Sequence, residues 1–371
     1  MYSESDLESA VAGGALTPEQ AASFRNHVAA SHQMPAVDEE HFRLLTGFND
    51  IFVGIAAAIL LAAVGMIGYY VPPNIDGDGP SPFIGLFVAV TAWGLAEFFT
   101  RKRRMALPSI ILLLAFVFGV FATSVFGIVT AIGEDYFENN ENAAALVFAA
   151  GAAIATAAAW LHWRRFRVPI TVAAGAAAAV ALVLGLVAYG FAAPEMSDAQ
   201  IETMRRVMEG VALVLGIGTF LFAMWWDGSD PKRETRRSDV AFWLHLLAAP
   251  LIVHPVFSLL GLTEGAASAL DGVAVILLYV VLGLVALAID RRALLVSALA
   301  YVLYALNSLF ETYGVVELNV ALTALIIGSA LLLLSAFWTN ARRAVVRPLP
   351  ETLRGRLPVL DRPARAAPVA A

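Results

Sequence analysis

The residues of this chain with the means for chemistry are two histidines, two prolines and a polar stripe, all set in apolar surroundings. The segment from Phe242 to Val256 contains His245 and His254, with Pro250 and Pro255 five residues apart. Each proline removes a backbone donor and clashes with the preceding turn. The segment is therefore expected to break, leaving backbone carbonyls open beside His254. Imidazole exchanges its proton near neutral pH. Further along, Tyr304, Asn307 and Glu311 are spaced three and then four, which places them on one helical face. His254 lies 14 residues beyond Val240, and Asn307 lies 14 beyond Ala293. At ~1.5 Å per residue both stand ~21 Å from the same edge if their helices start level. Tyr279, approaching from the other side, reaches a similar height. His254, Asn307, Glu311, Tyr304 and Tyr279 thus predict an outward-facing polar cavity for a small solute or an ion. A satisfied interhelical hydrogen-bond cluster is the alternative.

Other chemistries are poorly supplied. The chain has no cysteine, which excludes disulfides, thiol catalysis and cysteine-ligated metals. His245 and His254 differ by nine positions, about 180° around an ideal helix, and no His-Glu-x-x-His pattern accompanies them. No metal and no cofactor is expected. Asp76-Gly77-Asp78-Gly79 lacks the later ligands of a calcium loop and reads as a turn. There is no Gly-x-Ser-Gly site, no pair of intramembrane aspartates and no large outer loop, so an enzyme acting on lipid-linked substrates is the third choice.

The elements that must position these residues are apolar helices. The 371 residues are 60% hydrophobic and only 15% charged, with a mean hydropathy of +0.75. Soluble domains run nearer half apolar and a quarter charged. This composition excludes an ordinary soluble enzyme, a disordered protein and a nucleic-acid binder. A spanning helix needs ~20 mostly apolar residues. Ten segments qualify: 50–71, 82–100, 106–133, 143–163, 168–193, 207–226, 240–262, 273–289, 293–311 and 320–338. The predicted fold is an all-α polytopic transmembrane bundle of about ten spans (49–338). Residues 1–40 are polar and acidic, without the short apolar core of a signal peptide, so the first span is expected to be retained.

Cations set the orientation. With the N-terminus inside, 22 of the 24 Lys and Arg residues fall in inner segments, and only Arg205 and Arg206 fall outside. That is a strong positive-inside bias and puts both termini in the cytoplasm. Aromatic residues such as Trp160, Trp163, Trp225, Trp226 and Trp338 precede the inner turns and read as interface anchors. Asp50, Glu97, His162 and Asp290 lie within about a turn of the inner interface and read as helix ends or partners of arginines. Glu97 stands four residues before Arg101, a spacing that permits a helical ion pair. The arginine turns are expected to lie against anionic lipid. Only two of the cations are lysine, which with abundant Ala, Gly and Val suggests a GC-rich bacterial source.

An Arg-Arg pair recurs at 103–104, 164–165, 236–237, 291–292 and 342–343. Five copies of a two-helix unit and five applications of the positive-inside rule both account for it. Ten spans also divide into five plus five, the inverted layout of many transporters, although the second span has no interior proline to match the seventh. Spans four and five carry Ala-Gly-Ala runs suited to close packing.

Residues 1–48 read as a cytoplasmic helical hairpin and linker. The second helix starts at Thr17-Pro18-Glu19-Gln20, a capping-box pattern with proline at the first helical position. Residues 1–40 offer a docking piece for a cytoplasmic protein partner. Residues 339–371, rich in Pro and Arg, are expected to be a disordered cytoplasmic tail. The opening Leu16-Thr17-Pro18-Glu19-Gln20, a short helix, a linker and a multi-span body resemble a family of bacterial membrane proteins of unassigned function. The resemblance implies an inner-membrane location and supplies no catalytic residues. Two functions remain: a small-solute or ion transporter, and a non-transporting scaffold, sensor or envelope-maintenance protein.

Overall fold

The computed structural model describes residues 4–31, 48–138, 140–191, 196–231, 235–261, 269–292, 295, 299, 303, 319–355 and 357–360. Among these the chain is all-helical, with no strand. Two short helices come first, α1 (Glu4–Ala12) and α2 (Pro18–Ser31). They pack on each other through the buried Leu7 and Ala21. The capping box at the start of α2 forms as its sequence predicts. The Thr17 backbone donates to Gln20 Oε1 at 2.9 Å, and the Gln20 backbone to Thr17 Oγ1 at 3.2 Å.

Among the described residues, seven helices are long and apolar enough to cross a membrane. They are α3 (Phe48–Tyr69), α4 (Pro82–Ala96) with its π-helical extension Glu97–Lys102, and α5 (Ala106–Ile132), then, beyond a five-residue helix α6 (Glu134–Glu138), α7 (Glu141–Phe166), α8 (Ile170–Phe191), α9 (Asp198–Gly228) and α10 (Arg236–Leu259). These match the first seven of the expected spans. The sixth starts nine residues early, at Asp198. There Ser197 and Gln200 form a capping box, and at 31 residues the helix reaches ~46 Å, well beyond a ~30 Å hydrocarbon core. Next come α11 (Ala269–Ile289), whose apolar stretch is Leu277–Ile289, and α12 (Asn319–Ala336). The ninth expected span lies outside the described residues except for isolated positions.

Close approach of the helices depends on missing side chains. Gly85 of α4 and Gly119 of α5 face each other so tightly that a Cβ on Gly85 would stand 2.3 Å from the Gly119 carbonyl oxygen. Small residues line the contact of α7 and α8, with Gly175 against Ala159 and Gly185 against Ala149, while Gly151 of the α7 run faces Phe121 and Val125 of α5. In α10 half of the spanning window is buried, against 17–33% in the other six, so α10 is the central helix of the later part of the chain.

Two expectations need correction. The seventh span is not broken, because α10 runs through Pro250 and Pro255 as one helix. Pro255 releases the carbonyl of Leu251, four residues earlier. That carbonyl lies against Gly216 of α9, where a Cβ would stand 2.8 Å from it. A neighbouring helix covers the gap, the condition under which spans tolerate proline. The tail is also ordered further than expected: α13 (Trp338–Val346) and α14 (Glu351–Arg354) follow α12. Trp338, Arg342 and Val346 recur at four-residue spacing and are all buried, a helical face that the Pro and Arg content of the tail obscures. Residues 361–371 lie outside the described residues.

Candidate functional site

The densest set of buried charges lies where α9, α10, α11 and α13 come together. Asp227 sits at the last turn of α9, and His245 on the third turn of α10. Arg291 lies two residues past the end of α11. Their exposures are 3%, 0% and 3%. Asp227 arrives there because α9 continues past Trp225-Trp226. Arg291 arrives because Asp290 takes a left-handed backbone conformation (φ 58°) that turns the chain out of α11.

The Arg291 guanidinium grips both oxygens of Asp227. Its Nε donates to Oδ2 at 3.1 Å, and one Nη to Oδ1. The same Nη also donates to the Ser238 carbonyl at 3.1 Å. His245 Nε2 lies 3.1 Å from Asp227 Oδ2. A carboxylate held by an arginine fork only accepts, so Nε2 carries the proton of this bond. Phe220 meets the imidazole edge-on at 5.2 Å. Asp227 thus ties α9 to two neighbouring segments at once, α10 and the turn after α11. Chemically the arrangement is an imidazole of fixed tautomer on a buried ion pair, and protonation of the carboxylate would weaken both contacts together.

A second cluster adjoins it through one peptide bond. Asp290 Oδ1 accepts the indole N–H of Trp338 at 2.8 Å and lies 3.6 Å from Arg342 Nε. Arg342 donates onward to the carbonyls of Pro358 (2.7 Å) and Val359 (3.3 Å), folding the tail back on itself. Arg292 stands over the Trp338 ring at 4.9 Å. Trp338→Phe removes the donor to a buried carboxylate and is expected to cost about 1.5 kcal/mol, the low end for hydrogen bonds to charged groups. Thermal unfolding in detergent measures it, and an unchanged midpoint would mean that the indole contact contributes nothing.

The sequence-derived candidates fall elsewhere. His254 lies on the exposed side of α10, one turn after the exposed Pro250, while Pro255 is buried. Tyr279 is half-buried on α11 against the cluster of Ala249, Ala286 and Leu287. Its hydroxyl is enclosed without a hydrogen-bond partner among the described residues. Tyr304, Asn307 and Glu311 lie outside the described residues. The expected Glu97–Arg101 pair is present at 3.2 Å, but Glu97 is held mainly by Arg165, at 2.6 and 2.9 Å. His162 is fully buried among Trp93, Phe116 and Phe166, 3.3 Å from the Thr171 hydroxyl.

Sequence reasoning missed Asp227 and the partners of Arg291 and Arg342. The available signal was positional. Glu97 and Asp227 lie at the ends of spanning helices and Asp290 directly follows α11, and each meets an arginine far along the chain: Arg165, Arg291 and Arg342. In three of the five Arg-Arg pairs one member is latched, Arg165, Arg291 or Arg342, and in two of these the other stands over an aromatic ring: Arg164 over Trp160 at 5.1 Å and Arg292 over Trp338.

No known protein family, curated protein or solved structure matches the chain. The fold defines its class: a multi-pass helical membrane protein.

Proposed function

We infer that the chain is a ten-span protein of the bacterial inner membrane, with both termini cytoplasmic, that moves a small solute or an ion across the bilayer. The observation that carries this reading is α10. One central, proline-bearing helix holds His245 buried on the Asp227–Arg291 pair and His254 nine residues away on an exposed face. Ionisable groups are costly inside a bilayer and mark pathways more often than packing. His254 and Tyr279, with Tyr304, Asn307 and Glu311 of the ninth span, form the outer polar cavity of this proposal. The His245–Asp227 bond lies nearer the inner end.

A thermal-unfolding screen of the purified protein against ions, amino acids, sugars, organic acids and lipids tests the proposal. A transported compound at 100 times its dissociation constant should stabilise the protein by about 2.7 kcal/mol. That gain should vanish in His254→Ala. Stabilisation by lipids only, or a water-soluble hit indifferent to His254→Ala, sinks the cavity reading. One observation favours a scaffold or sensor instead: Glu97, Asp227 and Asp290 are all spent on holding helices together. In that reading residues 1–40 recruit a cytoplasmic partner, and their deletion abolishes co-purification of that partner while the spanning body stays folded.

A further inference from the structure

We propose that the turn after α4 and the turn after α7 together form a seat for an anionic phospholipid headgroup, best one bearing two phosphates, with acyl chains lying along α4 and α7. The inference rests on the membrane-spanning reading and is independent of transport.

The two turns are fastened to each other. Arg165 of α7 forks onto Glu97 at the end of α4 through Nε and Nη2, at 2.6 and 2.9 Å. Beneath that bond Trp93 of α4 packs on His162 and Phe166 of α7, with centroids 6.0 and 5.0 Å apart. Residues 97–104 and 163–167 hold seven cations and one carboxylate, Glu97. Glu97 engages Arg101 and Arg165. Lys102, Arg103, Arg104, Arg164 and Arg167 are exposed, and none of them has a carboxylate partner among the described residues. Arg104 and Arg167 hold left-handed backbone conformations (φ 53° and 56°), positions that glycine fills with less strain. Both nonetheless place a cation on the rim.

Aromatic rings preset the guanidiniums. Arg103 stands 5.5 Å over Phe98, and Arg164 5.1 Å over Trp160. Below each ring runs an exposed apolar stripe at helical spacing. On α4 it is Leu86, Val90, Gly94 and Phe98, and on α7 it is Ile154, Ala157, Trp160 and Leu161. A free phosphate would need the cations alone. Cations topping apolar stripes suit a molecule with phosphates at one end and chains at the other, and basic pockets between spans bind such headgroups.

The test uses the full-length protein in mild detergent. Native mass spectrometry reads lipid retention as phosphatidylcholine, phosphatidylglycerol or cardiolipin is titrated in, and inorganic pyrophosphate serves as competitor. Wild type should retain cardiolipin most strongly, phosphatidylglycerol less and phosphatidylcholine least. Arg103→Gln with Arg164→Gln should weaken cardiolipin binding about 25-fold, at about fivefold per arginine. Arg236→Gln with Arg237→Gln, an equal charge loss at another turn, should leave it unchanged. Arg103→Lys with Arg164→Lys keeps the charge and should retain most of the binding, which guards against a glutamine variant that fails to fold. Equal losses in both glutamine variants would overturn the seat in favour of diffuse charge attraction. Displacement of the lipid by millimolar pyrophosphate would overturn it in favour of a soluble-phosphate site. Loss of lipid binding without change in any solute-induced stabilisation would separate this seat from the transport proposal.

Discussion

Arg291→Met will lower the stability of the solubilised protein by about 3–5 kcal/mol, the cost of leaving a buried charge without its partner. Asp227 is 3% exposed, and its two oxygens are filled by one guanidinium and one imidazole. With the fork gone, the carboxylate keeps only the His245 bond and must take up a proton or draw in water. The adjacent Arg292 provides the internal control. It is exposed and stands over the Trp338 ring, an interaction worth about 0.5–1 kcal/mol at such a site. Neighbouring arginines, identical to a hydropathy reading, should therefore differ severalfold in effect. Asp227→Asn combined with Arg291→Met removes both charges and should recover most of the loss, because neutralising a whole buried pair is far cheaper than halving it. Thermal unfolding of the three variants decides the matter. If Arg291→Met and Arg292→Met shift the midpoint equally, the network is not what holds this end of the bundle.

That contrast shows what the sequence could and could not reveal. Seven spans were legible because each needs only length and an apolar composition, and both are local properties. The capping box at Thr17 and Gln20 was legible for the same reason: its two bonds join residues three apart. The Glu97–Arg101 pair was visible at a spacing of four, but the stronger partner, Arg165, is 68 positions away. Asp227 and Arg291 are 64 apart, and Asp290 and Trp338 are 48 apart. No helical period connects such pairs. The reading of Pro250 and Pro255 failed on a tertiary effect. The proline rule is correct for an isolated helix, but Gly216 on α9 lies against the released Leu251 carbonyl and the helix continues. The tail failed on composition. Its prolines and arginines suggested disorder, while the buried face of Trp338, Arg342 and Val346 depends on Asp290 as a distant acceptor.

Gly85→Ala should cost about 3 kcal/mol, while Gly94→Ala, the same change nine residues along the same helix, should be neutral or stabilising by about 0.5–1 kcal/mol. At Gly85 the new methyl would meet backbone: the Gly119 oxygen at 2.3 Å and the Thr123 nitrogen at 2.5 Å. No rotamer change relieves a clash with backbone, so α4 and α5 must separate along their whole contact, including the Trp93–Phe116 packing below it. At Gly94 nothing lies within 4 Å, and the helix simply gains a residue with less freedom to lose on folding. In a bilayer the difference should be sharper than in a soluble bundle, because apolar burial does not drive helix association there and close packing must. Chemical unfolding in mixed micelles, with both variants at matched protein-to-detergent ratio, gives the two values. A loss at Gly94 as large as that at Gly85 would mean that glycine serves backbone flexibility in this helix, and the tight α4–α5 crossing would lose its role as the organising contact of the first half of the bundle.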